Sequence, residues 1–250
     1  MQAGTLSIVI PVHNEAGNID AVIAEAAGVF SAAFEDFHII AIEDGSTDDT
    51  WGKLSALEEQ YPQITAIQHP NRAGKSAALR TGFLAAKTLW VATMDGDGQD
   101  DPQSVVDMAS RIDLTSLEAP ALVCGCRTNR TDGANRKWAS KIGNGIRRAM
   151  LRDDCPDTAC GLKLIPRDLF LALPFFDSLH RYLPPFTRHL GFDQIYVDVV
   201  NRARISGETK YTNLGRAFAG FFDLMGVNWL MRRTHIPAKA LLFTPGQDTK

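Results

Sequence analysis

"LSIVIPVHNE", residues 6–15, decides how this sequence folds. Its first half is a continuous run of aliphatic, largely β-branched residues, which is typical of a strand buried on both faces of a sheet. Pro11 ends the run, and a polar cluster follows at His13, Asn14 and Glu15. The stretch therefore predicts a buried strand with polar groups at its carboxyl end.

The same pattern repeats along the first half of the chain. Further strands are predicted at FHIIAIED (37–44), ITAIQH (64–69), LWVATMD (89–95) and ALVCGC (121–126). Helices are predicted between them, at 14–30, 51–60, 75–89 and 102–112, from apolar spacing and helix-starting residues. Strands that alternate with helices indicate an α/β fold with a mostly parallel central sheet and helices on both faces. Ligands of such sheets bind beyond the carboxyl ends of the strands.

The most unusual of these strand ends is MDGDGQDD, residues 94–101, which crowds four aspartates behind an apolar run. Asp95 and Asp97, two positions apart, can bring both carboxylates near one hard cation, and Gln99 can add a neutral oxygen. Mg²⁺ sites commonly combine one or two protein carboxylates with substrate phosphates. The turn therefore predicts a divalent ion shared with a diphosphate.

Other ligand-binding motifs do not fit the chain. The segment after the first strand lacks the GxGxxG of dinucleotide-binding folds. A phosphate-binding P-loop would need glycine at His69, and a calcium loop starting at Asp95 would need glycine at Asp100 and glutamate at Val106. The four cysteines include no CxxC pair, so we expect reduced, packed cysteines and no zinc cluster.

The net charge of −3 hides a split between the two halves of the chain. Residues 1–120 carry 18 acidic and 6 basic side chains, a net charge of −12, and residues 121–250 carry 11 and 20, a net charge of +9. The halves are therefore expected to meet different partners. Interleaved acids and the lack of a basic, aromatic platform argue against nucleic acid. No secretory signal or membrane span is expected.

Several motifs taken together resemble the family 2 glycosyltransferases with the GT-A nucleotide-sugar fold. They are SIVIPVHNEAGNI, IEDGSTDDT, HPNRAGKSAALRTGF and VATMDGDGQDDP, in that order. DTACGLKLIPRDLF and RARISGETKY, with the basic segment before them, are similar to the dolichyl-phosphate mannose synthase group and its bacterial polyprenyl-phosphate relatives. The chain departs from the family at His13, where tyrosine is usual, and at DGDGQ and TACG in place of DADLQ and TSGF.

The resemblance implies roles for the residues at the strand ends. Nucleotide-sugar binding is expected from Pro11, His13, Asn14, Glu15, Asp44, Arg72, Lys75 and Asp95. Mg²⁺ or Mn²⁺ is expected on Asp95, Asp97 and Gln99, where it would neutralise the departing nucleoside diphosphate.

The resemblance also implies a sugar acceptor, a polyprenyl phosphate, whose oxygen is already largely anionic near neutral pH. Holding two anionic substrates in line calls for guanidinium groups. The expected phosphate ligands are Arg127, Arg136, Arg204 and Lys210, and Asp97 and Arg127 are the expected catalytic residues. Lys137, Lys141, Arg147 and Arg148 are expected as helix-surface charges that face lipid headgroups.

We expect a GT-A domain at residues 1–212, with a nucleotide-sugar half at about 1–120 and an acceptor half at about 121–212. Residues 213–250 are expected to form a membrane-associating segment of amphipathic helices with a polar tail. Charges interrupt LGRAFAGFFDLMGVNWLMRR (214–233), which makes it poor as a membrane span but suitable as a helix that lies in the membrane interface. An aromatic, proline-broken stretch at 169–186 offers a second apolar surface, or packs against the sheet.

The expected function is inverting transfer of a sugar to a polyprenyl or dolichyl phosphate at the cytoplasmic face of a membrane. GDP-mannose is the favoured donor, and UDP-linked hexoses or uronic acids stay open. A membrane-spanning partner subunit is a further expected partner. Two alternatives stay open: transfer to a glycan or lipid hydroxyl, and a non-catalytic partner of a membrane subunit.

Overall fold

The computed structural model describes residues 2–117, 120–128, 145–202 and 213–235. These form seven strands and eight helices. The strands are β1 Gln2–Val12, β2 Phe34–Asp44, β3 Ile64–His69, β4 Trp90–Thr93, β5 Leu122–Arg127, β6 Lys163–Pro166 and β7 Gln194–Val199. The helices are α1 Ile19–Ala33, α2 Thr50–Gln60, α3 Lys75–Ala85, α4 Pro102–Ala109, α5 at residues 145–151, α6 Arg167–Ala172, α7 Leu179–His189 and α8 Asn213–Arg233.

Every strand and helix predicted for the first half is present. The prediction for β3 matches to the residue, while α1 begins at Ile19 because residues 13–18 form the polar turn after β1. Helix α3 ends at Ala85, four residues before the predicted end, since Ala86 is already extended. After β5, helices were predicted around Arg147 and Arg148 and from residue 213, and α5 and α8 lie there. The elements β6, α6, α7 and β7 carry no clear sequence periodicity and were not predicted.

The seven strands form one sheet in the order β3-β2-β1-β4-β6-β5-β7. All neighbours are parallel except β6, which runs antiparallel to both β4 and β5. Its four residues, KLIP, are too few for a sequence pattern to identify a strand or its direction. The mostly parallel sheet predicted from the alternation is confirmed, with one inserted antiparallel strand.

The strand register brings the polar segments to one edge of the sheet. Val12 pairs with Glu43, Asp44 pairs with His69, and β4 ends at Thr93 opposite Val9. Parallel strands that end level place the loops that follow β1, β2, β3 and β4 side by side. This edge is where a ligand site is expected.

Side chains of β1 alternate between two cores, one on each face of the sheet. Ile8 and Ile10 pack with Phe30 of α1 in one cluster. Val9 packs with Leu79 and Phe83 of α3 in the other. All of these side chains are buried, so the buried strand predicted from the opening stretch is confirmed.

In the second half of the chain, the prediction for Arg147 was wrong, and the structure decides between the two roles that were open for residues 169–186. Arg147 was expected on the surface, but it is buried and forms an ion pair with Asp153, with its Nη2 donating to the Cys155 carbonyl at 2.7 Å. Most of the apolar side chains of residues 169–186 are buried in the α3-side core, so this stretch packs against the sheet. The four cysteines are unpaired and buried, as expected.

Helix α8 packs its inner face on the rest of the protein and leaves an outer face exposed. Leu224, Val227 and Met231 are buried, whereas Phe222 and Trp229 are exposed. Among the residues described, no helix combines the length and the hydropathy needed to cross a membrane.

We predict that Phe170→Ala lowers the free energy of unfolding by about 3–5 kcal/mol, because large cavities in a packed core are costly. Phe170 is buried and stacks on Phe83 with ring centroids 3.7 Å apart, which joins α6 to α3. Phe175→Ala is the control, since Phe175 is 45% exposed. Urea denaturation measures both; equal losses would contradict the assigned packing.

Candidate active site

A cleft opens at the carboxyl edge of the sheet and has a volume of about 190 Å³. Its lining comes from the loops after β1, β2, β3 and β4, which the parallel register sets side by side. Eight of the predicted site residues line it. Seven belong to the predicted nucleotide-sugar set: Pro11, His13, Glu15, Asp44, Arg72, Lys75 and Asp95. The eighth is Asp97, from the predicted metal set.

Asp44 organises one wall of the cleft. Its carboxylate accepts hydrogen bonds from the backbone of Ala73 and Gly74 at 2.8 Å each and faces His69 Nδ1 at 2.9 Å. Burial by itself would raise the pKa of Asp44, but these hydrogen bonds outweigh burial and lower it. Asp44 is thus an anionic tether for the loop that carries Arg72 and Lys75.

The polar cluster after β1 is divided between the cleft and the neighbouring loop. His13 Nδ1 lies 2.9 Å from the Asp44 carbonyl oxygen, and both His13 and Glu15 line the cleft. Asn14 does not line it. Asn14 has a positive φ of 57°, and its side-chain oxygen accepts from the Thr47 backbone at 2.8 Å. Its position therefore fixes two loops to each other.

Lys75, at the start of α3, forms an ion pair with Asp95 in the acidic turn. Burial opposes the charge on both groups, but their attraction raises the pKa of Lys75 and lowers that of Asp95. Asp97 lines the cleft beside them and accepts a hydrogen bond from the Gln99 backbone at 3.1 Å. The turn thus presents two carboxylates next to a single ammonium group.

Asp100 lies beneath this turn and was not predicted as a site residue. It is buried, and its Oδ2 accepts the Asp95 backbone N–H at 2.9 Å. Burial, followed by the charges of Asp95 and Asp97, raises the pKa of Asp100 to about 7. Burial is the main cause of this rise in pKa, and the negative charges of Asp95 and Asp97 add to it.

Gln99, predicted as a metal ligand, is directed away from the cleft. Its side-chain nitrogen lies 3.4 Å from the Arg202 carbonyl oxygen, and Gln99 is not among the cleft-lining residues. Arg202 also pairs with Glu25 and Asp101. Gln99 therefore links the acidic turn to the segment after β7.

Gly161 has no side chain, and this leaves room for the Asp95 carboxylate. A Cβ atom at residue 161 would lie 2.7 Å from both Asp95 carboxylate oxygens, which is closer than real contacts allow. Thr93 Oγ1 holds the same segment by donating to the Gly161 carbonyl oxygen at 2.5 Å. The TACG segment thus borders the acidic turn, a proximity that no spacing in the sequence could show.

Arg127 ends β5, and its guanidinium is held by Asp157. Nε and Nη2 donate to the two carboxylate oxygens at 2.7 and 2.9 Å. This two-pronged pair raises the pKa of Arg127 despite partial burial, with the Asp100 charge contributing to the rise. The remaining predicted acceptor ligands, Arg136, Arg204 and Lys210, lie outside the described residues, as do Lys137 and Lys141.

Two basic side chains beside the acidic turn, the buried Lys163 and the half-buried His180, were missed by the sequence reasoning. Lys163 of β6 is buried, and its Nζ donates to the Thr158 carbonyl at 3.3 Å and to the Cys160 carbonyl. His180 begins α7, and its Nδ1 lies 2.9 Å from Ser76 Oγ. Burial, then the charges of Lys75 and Lys163, lower the pKa of His180 to about 2, so it is a neutral imidazole.

The donor set fits a divalent cation that is shared with a ligand. The described residues contain no group of three or more His, Cys, Asp or Glu side chains placed to hold a metal alone. Asp95 and Asp97 nevertheless line one cleft, and Asp100 is buried in the same turn. Hard cations such as Mg²⁺ are commonly held by one or two carboxylates together with phosphate oxygens.

Comparison with protein families gives one match that covers two thirds of the chain. Residues 7–173 match the model described as glycosyl transferase family 2. Dodecaprenyl-phosphate galacturonate synthase of Rhizobium johnstonii is 28% identical over 238 residues, 93% of this chain and 69% of that protein. Undecaprenyl-phosphate 4-deoxy-4-formamido-L-arabinose transferase of Enterobacter sp. is 26% identical over 83% of this chain and 62% of its own length. The chain thus spans about two thirds of these relatives.

Solved structures share the architecture. Glucosyl-3-phosphoglycerate synthase of Mycobacterium tuberculosis, in complex with Mn²⁺, UDP-glucose and phosphoglyceric acid, superposes with a TM-score of 0.67 at 20% identity, over 93% of this chain and 81% of that one. Mannosyl-3-phosphoglycerate synthase of Rubrobacter xylanophilus gives 0.69 at 16% identity, over 98% and 79%. These likenesses show the fold, and the GT-A architecture expected from the sequence is confirmed.

We predict that Gly161→Ala weakens nucleotide binding by roughly tenfold or more, because the new methyl group displaces the Asp95 carboxylate and a charged contact of about 1.5–3 kcal/mol is lost. Isothermal titration with UDP and GDP in the presence of Mn²⁺ measures the change. Gly28→Ala is the control, since a Cβ there meets nothing within 4 Å. Unchanged affinity in Gly161→Ala would contradict the role given to this glycine.

Proposed function

The chain belongs to glycosyl transferase family 2, and on that premise we propose that it moves a sugar from a nucleotide-sugar to a polyprenyl phosphate, with inversion at the anomeric carbon. One observation carries the proposal. The cleft at the strand ends joins two carboxylates, Asp95 and Asp97, to two cations, Arg72 and Lys75. Such a mixed set suits a diphosphate, whose oxygens can accept from the cations and share a metal with the carboxylates.

On the donor side, each wall of the cleft has a proposed task. Pro11, His13 and Glu15 border the nucleoside, and Asp44 holds the loop that carries Arg72 and Lys75 toward the diphosphate. A divalent ion on Asp95 and Asp97, Mg²⁺ or Mn²⁺, would neutralise charge on the departing nucleoside diphosphate. Lys75 contributes a fixed positive charge at the same place, because its ion pair orients it into the turn.

On the acceptor side, a phosphate monoester carries about −1.5 to −2 charges at pH 7, so its oxygen needs no strong general base to attack. The protein's task is then to hold two anions in line against their repulsion. Arg127 is the proposed ligand of the acceptor phosphate, because Asp157 fixes its guanidinium at the end of β5. Arg136, Arg204 and Lys210 are proposed to complete this set.

The acceptor and the donor draw on different support. The names of the relatives from Rhizobium johnstonii and Enterobacter sp. specify dodecaprenyl and undecaprenyl phosphate, which supports a polyprenyl-phosphate acceptor here. The sequence resemblance favours GDP-mannose as donor. The same relatives are named for galacturonate and 4-deoxy-4-formamido-L-arabinose, which supports a sugar other than mannose. A solved neighbour holds UDP-glucose, and this supports UDP as the nucleotide.

We further propose that the protein works at the cytoplasmic face of a membrane, where its lipid acceptor is found, together with a membrane-spanning partner subunit. The exposed Phe222, Met225 and Trp229 of α8 support attachment within the interface. Residues 1–212 are the proposed catalytic domain, with donor functions in about 1–120 and acceptor functions in about 121–212. Residues 213–250 are the proposed membrane-associating segment.

A donor screen tests the reaction. GDP-mannose, UDP-glucose, UDP-galacturonate and UDP-4-deoxy-4-formamido-L-arabinose are each offered with a short polyprenyl phosphate and Mg²⁺ or Mn²⁺, and the glycolipid is measured by mass spectrometry. We expect one donor to yield a sugar-phosphate-lipid with inverted anomeric configuration. Transfer to the corresponding polyprenyl alcohol instead of the phosphate would contradict the proposed acceptor.

We predict that Asp97→Asn lowers the metal-dependent turnover at least about 100-fold, as loss of a group that stabilises leaving-group charge does in other enzymes. Asp107→Asn, an exposed carboxylate on α4, is the matched control and keeps normal turnover. The screen's best donor provides the assay. Near-normal turnover in Asp97→Asn would refute the proposed metal site.

We predict that Arg127→Lys raises the KM for the polyprenyl phosphate roughly tenfold and changes the KM for the donor much less. Lysine keeps the charge that balances Asp157 but loses the forked contact, a charge-assisted bond of about 1.5–3 kcal/mol. Arg111→Lys, at an exposed position near the end of α4, is the control. Equal changes in both KM values, or none, would show that Arg127 does not hold the acceptor.

A further inference from the structure

A second cavity, which is lined by basic side chains, lies between α5, α7 and α8. It has a volume of about 410 Å³ and is lined by Arg152, Arg188, His189, Asn228 and Arg232 above apolar side chains that include the buried Met231. None of these residues lines the cleft at the strand ends. A cavity with three guanidinium groups calls for an anionic ligand of its own.

Helix α7 separates this cavity from the active-site cleft. His180, at the start of α7, contacts Ser76 beside the cleft, whereas Arg188 is eight residues further along the helix. At the α-helical rise per residue, this separation is about 12 Å along the helix axis. The basic cavity thus lies at the far end of α7 from Ser76, and Arg127 is not among the residues that line it.

The charge of the cavity is only partly balanced. Arg188 pairs with Asp154 on the rim. Arg152 and Arg232 form no ion pair with another residue in the described part of the chain. The cavity therefore keeps an excess of positive charge, carried by side chains whose planar forks match phosphate oxygens.

The wall that carries Arg152 is built rigidly. The backbone of Arg152 has a φ of 54°, a left-handed conformation that residues other than glycine seldom adopt. The next residue, Asp153, pairs with the buried Arg147 and also accepts the Cys155 backbone N–H at 3.0 Å. This internal network holds the turn that presents Arg152 at the cavity, and a strained residue held in place often marks a functional position.

An exposed apolar stripe on α8 borders the same cavity. Phe222, Met225 and Trp229 are 58%, 50% and 61% exposed. Residues three apart lie on neighbouring parts of a helix surface, so Met225 adjoins Asn228 and Trp229 adjoins Arg232. The stripe thus continues directly from the basic rim of the cavity.

From this juxtaposition we propose that the cavity binds the phosphate headgroup of an anionic phospholipid, while the stripe of α8 lies in the headgroup and acyl boundary of the bilayer. Phosphate oxygens accept hydrogen bonds from Arg152 and Arg232, and Asn228 adds an uncharged donor. The apolar stripe argues for a lipid over a free anion, because the stripe and the cavity lie side by side and can engage the same bilayer surface. Binding there is independent of the transfer reaction.

The test is the partition of the full chain onto vesicles, measured by co-sedimentation. Vesicles of phosphatidylcholine with phosphatidylglycerol are compared with vesicles of phosphatidylcholine alone. We expect Arg152→Gln together with Arg232→Gln to reduce binding to the anionic vesicles about 100-fold, because two charge-assisted phosphate contacts are lost. This double variant should bind vesicles of phosphatidylcholine alone as strongly as the wild type does.

A matched control makes the same change in charge away from the cavity and the stripe. Arg148→Gln together with Arg181→Gln removes two exposed arginines, one on α5 and one on α7, that do not line the cavity. We expect these to reduce binding about tenfold or less at physiological salt, where surface charges are screened. Equal losses in the two double variants would show diffuse surface attraction and overturn the proposed site.

Two further arms keep the outcome decisive. Arg152→Lys together with Arg232→Lys keeps the positive charge and shows whether the loss of binding comes from a folding defect. We expect this double variant to lose vesicle binding to an intermediate degree and to keep the unfolding temperature of the wild type. In thermal unfolding, short-chain phosphatidylglycerol should stabilise the wild type more than inorganic phosphate at the same concentration. Equal stabilisation by both would identify a free anion as the ligand and overturn the lipid assignment.

Discussion

Repulsion among the carboxylates of the acidic turn is the constraint on which this structure depends. Asp95, Asp97 and Asp100 follow a buried strand, and Lys75 supplies one positive charge against them. The pKa of Asp100 is raised to about 7 because burial and two neighbouring charges disfavour a third anion. Carboxylates crowded in this way suit a divalent cation, and a cation held by one or two carboxylates commonly takes phosphate oxygens as its other ligands.

The fold holds this unfavourable arrangement in place through contacts from separate elements. Asp44 tethers the loop that starts α3, and so positions Lys75. Gly161, beside the antiparallel strand β6, leaves room for the Asp95 carboxylate. Buried Lys163 lies close enough to lower the pKa of Asp95 further. The parallel strand register brings these contributions, from distant parts of the sequence, to one edge of the sheet.

In the fold, the acidic and the basic half of the chain supply charged groups to different sites. The acidic half supplies the turn at Asp95 and Asp97, while the basic half supplies Arg127 and a separate cavity with Arg152 and Arg232. Not every basic side chain serves binding, since Arg147 is buried in an internal ion pair. We therefore propose that phosphate groups bind at two distinct places, one for the transfer reaction and one for attachment to the membrane.

The sequence by itself determined the strands and helices up to β5, because buried strands and amphipathic helices carry clear local periodicities. It also determined that the polar segments after β1 to β4 share one edge, since parallel strands end together. Only the tertiary structure decided the direction of β6, the pairing of Arg127 with Asp157 and the turning of Gln99 toward Arg202. Those features depend on which distant segments of the chain pack together, and the local spacing of residues in the sequence carries no information about such contacts.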